Sequence, residues 1–215
     1  IDGYEETKKR IIRRYATVIV EDLRQQIYAS KEEHTEFIYN VQQDLIVFGS
    51  FAKTKLKHVD GKLGYKKEVA DKKNIKNYLF EGYRKSYYPV NSFDSDDERR
   101  FAVVLEEDED VVRFIKSPLN QLGLFYRAGK QYNPDFLVET ADKKYMIEVK
   151  AANQVNNEDV QEKARAGVKW CECASKVDAD GKEWKYRLVS GEDIIIGNTL
   201  KYILGLAVAV KNIDE

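Results

Sequence analysis

The spacing of apolar positions changes period several times along the chain, and each change marks an element. Ile11, Ile12, Tyr15, Val18, Ile19, Leu23 and Ile27 recur at three- and four-residue steps. That period predicts a helix from Tyr4 to about Ser30. Leu45-Ile46-Val47-Phe48 is a short apolar run and predicts a strand, with Gly49, Gly61 and Gly64 punctuating a hairpin or loop after it. Asp94-Ser95-Asp96-Asp97-Glu98 opens a second helix carrying Phe101, Val104 and Leu105. Ser95 with Glu98 three positions on is a capping-box pattern. Gly123-Leu124-Phe125-Tyr126-Arg127 reads as the first strand of a core. Asn157-Glu158-Asp159 starts a helix through about Ala174, with Val160, Ala164 and Val168 inward. Trp184-Lys185-Tyr186-Arg187-Leu188-Val189 predicts a further strand, and Glu192 onward a closing helix.

Two strand-like runs stand in the middle of this series: Tyr132-Asn133-Pro134-Asp135-Phe136-Leu137-Val138 and Tyr145-Met146-Ile147-Glu148-Val149-Lys150. Glu139-Thr140-Ala141-Asp142-Lys143-Lys144 between them is polar enough for a tight turn. Folding the runs about the Ala141–Asp142 bond makes Asp135 and Glu148 cross-strand neighbours, with Cβ atoms roughly 4.5–5.5 Å apart. A slip of two residues would put Asp135 opposite Lys150 instead. Strand alternation sends Tyr145, Ile147 and Val149 one way and Met146, Glu148 and Lys150 the other.

Facing carboxylates repel one another across a hairpin. A divalent cation removes the conflict, since Mg²⁺ takes one or two carboxylates together with waters and phosphate oxygens. Lys150 beside such an ion can orient a water or stabilise charge growing on a phosphate. These residue types in this pattern point to phosphodiester hydrolysis, with Asp135, Glu148 and Lys150 as candidates. A solvated strand edge is the competing reading, because Glu-x-Lys recurs by chance in charged chains and Pro-Asp is a common turn dipeptide.

Composition and charge narrow the picture. The 215 residues are 43% hydrophobic and 34% charged, enough apolar mass for a core in one large domain or a domain with an appendage. The net charge of −1 gives no global attraction to nucleic acid, so DNA contact would need a local basic surface. Residues 53–92 supply one, with eleven Lys/Arg against four Asp/Glu, interleaved with Tyr65, Tyr78, Phe80, Tyr83, Tyr87 and Tyr88. An ordinary helix surface over a small core fits the same stretch. Lys8, Lys9, Arg10, Arg13 and Arg14 read as a solvated helix face, as do Lys163 and Lys169. Cys171 and Cys173 lack a second Cys/His pair and do not form a structural zinc site; they are expected to be reduced thiols. His34 and His58 receive no catalytic role. The sequence has neither a signal peptide nor an apolar run of about 18 residues or more, so no membrane partner is expected and a cytoplasmic location is. The chain starts at Ile1 rather than Met, which is expected of a piece of a longer protein.

Pro134-Asp135, followed after a gap by Glu148-Val149-Lys150, resembles the PD-(D/E)XK nuclease motif. The wider text, FDSDDERRFA, YNPDFLVET and KKYMIEVKA, is similar to the C-terminal endonuclease domain of type III restriction enzyme Res subunits and related helicase–nucleases. The resemblance implies an α/β fold: a restriction-endonuclease-like αβββαβ core, its mixed central sheet flanked by helices, here with a mixed N-terminal extension. The resemblance covers roughly residues 92–190; the nuclease domain is expected at 92–215 and a linker or accessory region at 1–91. It implies Mg²⁺, with Mn²⁺ as a substitute, held by Asp135, Glu148 and the Val149 carbonyl, and Lys150 acting on the water. It gives Glu98 a role near the metal as the alternative to that of helix cap, since one carboxylate could not easily do both. It implies double-stranded DNA as substrate and a modification methyltransferase as partner. ATP would be used only by an upstream helicase, since this chain has no GxxxxGK[ST] loop. A nuclease-like fold kept as a non-catalytic DNA-binding or docking module is the alternative.

Overall fold

The computed structural model describes residues 2–29, 61–118, 121–122, 124–127 and 130–211. The strand expected at residues 45–48, and both histidines, lie outside them. The chain divides into two compact units, residues 1–38 and 39–215. The first holds one helix, α1 (Asp2–Ala29), as its period predicts.

Among the described residues of the second unit, a small sheet comes first. Strand β1 (Gly61–Gly64) pairs in parallel with β2 (Tyr78–Glu81), and β2 pairs antiparallel with β3 (Val90–Asn91). Gly61 and Gly64, expected to punctuate a hairpin or loop, instead open and close β1. Helix α2 (Asp96–Glu107) follows. Its N-cap is Ser95, whose hydroxyl accepts the Glu98 N–H at 3.2 Å. Buried Glu106 in its last turn accepts the backbone N–H groups of Arg84 and Lys85, tying the loop after β2 to the helix.

The central sheet has the order β4 (Val111–Lys116), β7 (Phe136–Thr140), β8 (Lys143–Lys150), β9 (Glu183–Ser190). The first two neighbouring pairs are antiparallel, and β8–β9 is parallel across α3 (Glu158–Val177). Between β4 and β7, β5 (Leu124–Arg127) and β6 (Lys130–Tyr132) form a separate two-stranded hairpin. The mixed α/β architecture agrees with the restriction-endonuclease-like expectation, with one correction. Residues 124–127 are a strand, but the first strand of the central sheet is β4.

Each face of the sheet is covered. Phe114, Phe136, Val138, Ile147, Val149 and Val189 pack under α2 with Phe80, Phe93 and Phe101. Met146, Tyr186 and Leu188 pack under α3 with Val160 and Ala164. This is the alternation expected for β8. Phe136 is fully buried, and its ring meets those of Phe101 at 5.3 Å, Phe114 at 6.4 Å and Phe93 at 6.5 Å. Burying such a ring contributes about 1.5–3 kcal/mol, so it anchors the start of β7 and, with it, Asp135. Helix α3 starts at an Asn157 cap, as its sequence predicts. The expected closing helix from Glu192 is reduced to a 3₁₀ turn (Gly191–Asp193) and a short α4 (Leu200–Gly205). Gly197 at φ 101° lies between them, in a conformation a helix does not use.

Candidate active site

The hairpin register is the one obtained by folding about Ala141–Asp142. Phe136 faces Ile147, Leu137 faces Met146, and Val138 faces Tyr145. One step outward, Asp135 stands just before β7, level with Glu148. Asp135 is held from several sides. Its Oδ2 accepts the Val149 N–H at 2.9 Å, and its carbonyl accepts the Ser117 N–H at 2.9 Å. Lys150 Nζ lies 2.5 Å from Glu148 Oε1 and 4.0 Å from Asp135 Oδ2. Asp135, Glu148 and Lys150 therefore meet at one end of the sheet.

Glu98 joins them through a residue the sequence reading did not single out. Lys116, the last residue of β4, sits with Nζ 2.9 Å from Glu98 Oε2 and 3.0 Å from Asp135 Oδ1. Glu98 Oε2 also accepts the Asp94 N–H at 3.2 Å. Glu98 thus serves the helix start and the charge cluster at once. The order across the cluster is Glu98, Lys116, Asp135, Lys150, Glu148, with acids and amines alternating.

Two tyrosines complete it. Tyr132, at the end of β6, donates its hydroxyl proton to Glu148 Oε2 at 2.9 Å, and its oxygen lies 3.1 Å from that of Tyr186. A Cβ at Gly167 on α3 would overlap the Tyr186 ring, so glycine there lets the ring pack against the helix. Neither tyrosine carries a sequence motif. Tyr132's place just ahead of Asn133-Pro134-Asp135 is the only signal that could have marked it.

The electrostatics follow from burial. Burial, then the charge of Asp135, pushes the Glu148 carboxyl up to about 7, against Lys150 and the Tyr132 hydrogen bond. Burial and Asp135 likewise raise Glu98, opposed by Lys116. Burial alone would lower Lys116, but Asp135 and Glu98 outweigh it and raise it; Glu148 and Asp135 do the same for Lys150. Both amines are cations at neutral pH. Burial also raises Tyr132 and Tyr186, so both hydroxyls keep their protons. Outside the cluster, burial pushes the Cys171 thiol up to about 12, which leaves it a poor nucleophile.

The donor set suits a hard divalent cation. Asp135 and Glu148 bring carboxylate oxygens to 4.0 and 2.5 Å from Lys150 Nζ, and Mg²⁺ uses one or two carboxylates with waters. Among the described residues no three His, Cys, Asp or Glu side chains gather around a common metal position. Glu98 is separated from Asp135 by Lys116.

No curated protein matches the sequence. Residues 84–190 match a family model described as an endonuclease domain. That span runs from the loop before β3 to the end of β9 and contains Glu98, Lys116, Tyr132, Asp135, Glu148, Lys150 and Tyr186. Over residues 84–190 the chain is similar, in sequence family and in fold, to nucleases of the restriction-endonuclease type.

Proposed function

We propose that this chain carries a Mg²⁺-dependent endodeoxyribonuclease site that hydrolyses phosphodiester bonds of double-stranded DNA. The observation that carries the reading is the meeting of Asp135 and Glu148 across the hairpin with Lys150 Nζ in reach of both. In a longer chain it would be the C-terminal endonuclease domain of a type III restriction enzyme Res subunit, with an ATP-driven helicase upstream and a methyltransferase partner choosing the sequence. DNA contact would involve the basic, aromatic stretch before α2 and would weaken steeply with salt.

Asp135, Glu148 and the Val149 carbonyl would hold Mg²⁺, or Mn²⁺ in its place. The bound ion would lower the pKa of a water and neutralise charge on the phosphate. Lys150, a cation with part of its side chain exposed, would orient that water and stabilise the developing phosphate charge. Tyr132 fixes one oxygen of Glu148 so that the other faces the site. Glu98 acts through Lys116, which holds Asp135 in place.

One feature favours a second reading. Lys116 and Lys150 already balance most of the acid charge, as a purely structural network would. Nicking of supercoiled plasmid separates the two readings. Cleavage that needs Mg²⁺, stops with EDTA and is lost in Lys150→Ala supports the nuclease. DNA binding without cleavage in either metal supports a docking module.

A further inference from the structure

We propose that each active site works with a single divalent cation, because Lys116 occupies the place a second one would take. This inference rests on the nuclease reading above. Two-metal nuclease sites set their ions about 3.5–4 Å apart and share carboxylate oxygens between them. Asp135 is the residue placed to share, since its two oxygens point to two cation positions. On the Oδ1 side stands Lys116 Nζ, 3.0 Å away and also 2.9 Å from Glu98 Oε2. On the Oδ2 side stands Lys150 Nζ, 4.0 Å away and 2.5 Å from Glu148 Oε1.

The two ammonium groups are not held alike. The Lys116 side chain is 14% exposed, has a carboxylate on each side, and lies with Nζ 5.3 Å from the centre of the Phe136 ring. Moving it would strand a buried ammonium and leave Glu98 and Asp135 without their counter-ion. The Lys150 side chain is 27% exposed, and only one of its two carboxylates is in close contact. It can turn toward solvent and release the oxygens of Asp135 and Glu148 to an incoming ion. The metal therefore enters at the Lys150 position, and the Glu98–Asp135 position stays closed. Glu98 is then a positioning residue that fixes Lys116, not a ligand.

Mn²⁺ titration of the whole chain, followed by electron paramagnetic resonance, tests this without relying on cleavage. Wild type should bind one ion. Lys116→Met should bind two, since it opens the pair Glu98 and Asp135 to a second. Two ions in wild type, or one in a folded Lys116→Met, would overturn the inference and leave the nuclease reading standing. No binding by wild type would sink both. Where Lys116→Met fails to fold, Glu98→Gln decides. It should keep one ion with the same number of bound waters as wild type, counted from the Mn²⁺ resonance in D₂O, whereas an extra water in place of a lost carboxylate would make Glu98 a ligand and overturn the proposal.

Discussion

Tyr132 donates its hydroxyl to Glu148 Oε2 at 2.9 Å, deep under α3. A strand outside the central sheet thereby fixes a carboxylate inside it. Removing the donor leaves a buried oxygen unsatisfied, which costs about 1–3 kcal/mol. Tyr132→Phe should lower stability by about that much and weaken metal binding roughly 10–100-fold, as lost outer-shell contacts do. Tyr186→Phe should do less, because it leaves the bond to Glu148 in place. Thermal melting and Mn²⁺ titration of the two variants check both statements.

Gly167→Ala tests how that tyrosine pair is seated. Alanine favours a helix over glycine by up to about 1 kcal/mol, so an open site would be stabilised. Here the new methyl meets the Tyr186 ring. Overpacking of this kind costs about 1–3 kcal/mol, and the net change should be destabilising. A urea titration should show a lower midpoint with an unchanged slope.

Asp178 caps the far end of α3 and gathers four donors. Its carboxylate accepts Lys144 Nζ and Trp184 Nε1, both at 2.8 Å, and the backbone N–H groups of Asp180 and Lys182. Burial works against the charge, but these bonds hold the carboxyl down at about 2. Its contribution is therefore present above the ordinary value of 3.8 and is lost as pH falls through about 2. Asp178→Ala should cost on the order of 2–3 kcal/mol at neutral pH, and the gap from wild type should narrow in acid; melting across pH measures it.

Glu148 behaves in the opposite sense. Its carboxyl rises from the ordinary 4.5 to about 7, so between those values the folded chain keeps a proton the unfolded chain has lost. That contribution to stability is complete below pH 4.5 and is lost as pH rises through about 7. A divalent cation held by Glu148, as proposed, would have to displace the same proton. Mn²⁺ affinity should fall about tenfold per pH unit below about 7 and level off above it. Calorimetry on either side of neutrality checks this; equal affinity at both would show that Glu148 is not the titrating group.

The hairpin was readable because alternation and a short polar turn leave few registers. Phe136 opposite Ile147 follows from the same folding that brings Asp135 level with Glu148. The Ser95 and Asn157 caps were readable because their bonds are local. Strand β4 was hidden by a register shift between Val111 and Arg113, which breaks the alternation and leaves Val112 exposed. Lys116 went unseen with it. The tyrosine pair was hidden for another reason: Tyr132 and Tyr186 lie far apart in sequence, and only the sheet and Gly167 bring them together.

In the proposed site, Asp135 and Glu148 share one cation beside Lys150. Anomalous diffraction from a crystal soaked in Mn²⁺ measures this directly. One peak within ligand distance of Asp135 Oδ2 and Glu148 Oε1, with the Lys150 amine displaced toward solvent, is the expected result. A peak elsewhere in the chain, or none with Lys150 still bound to Glu148, would contradict it.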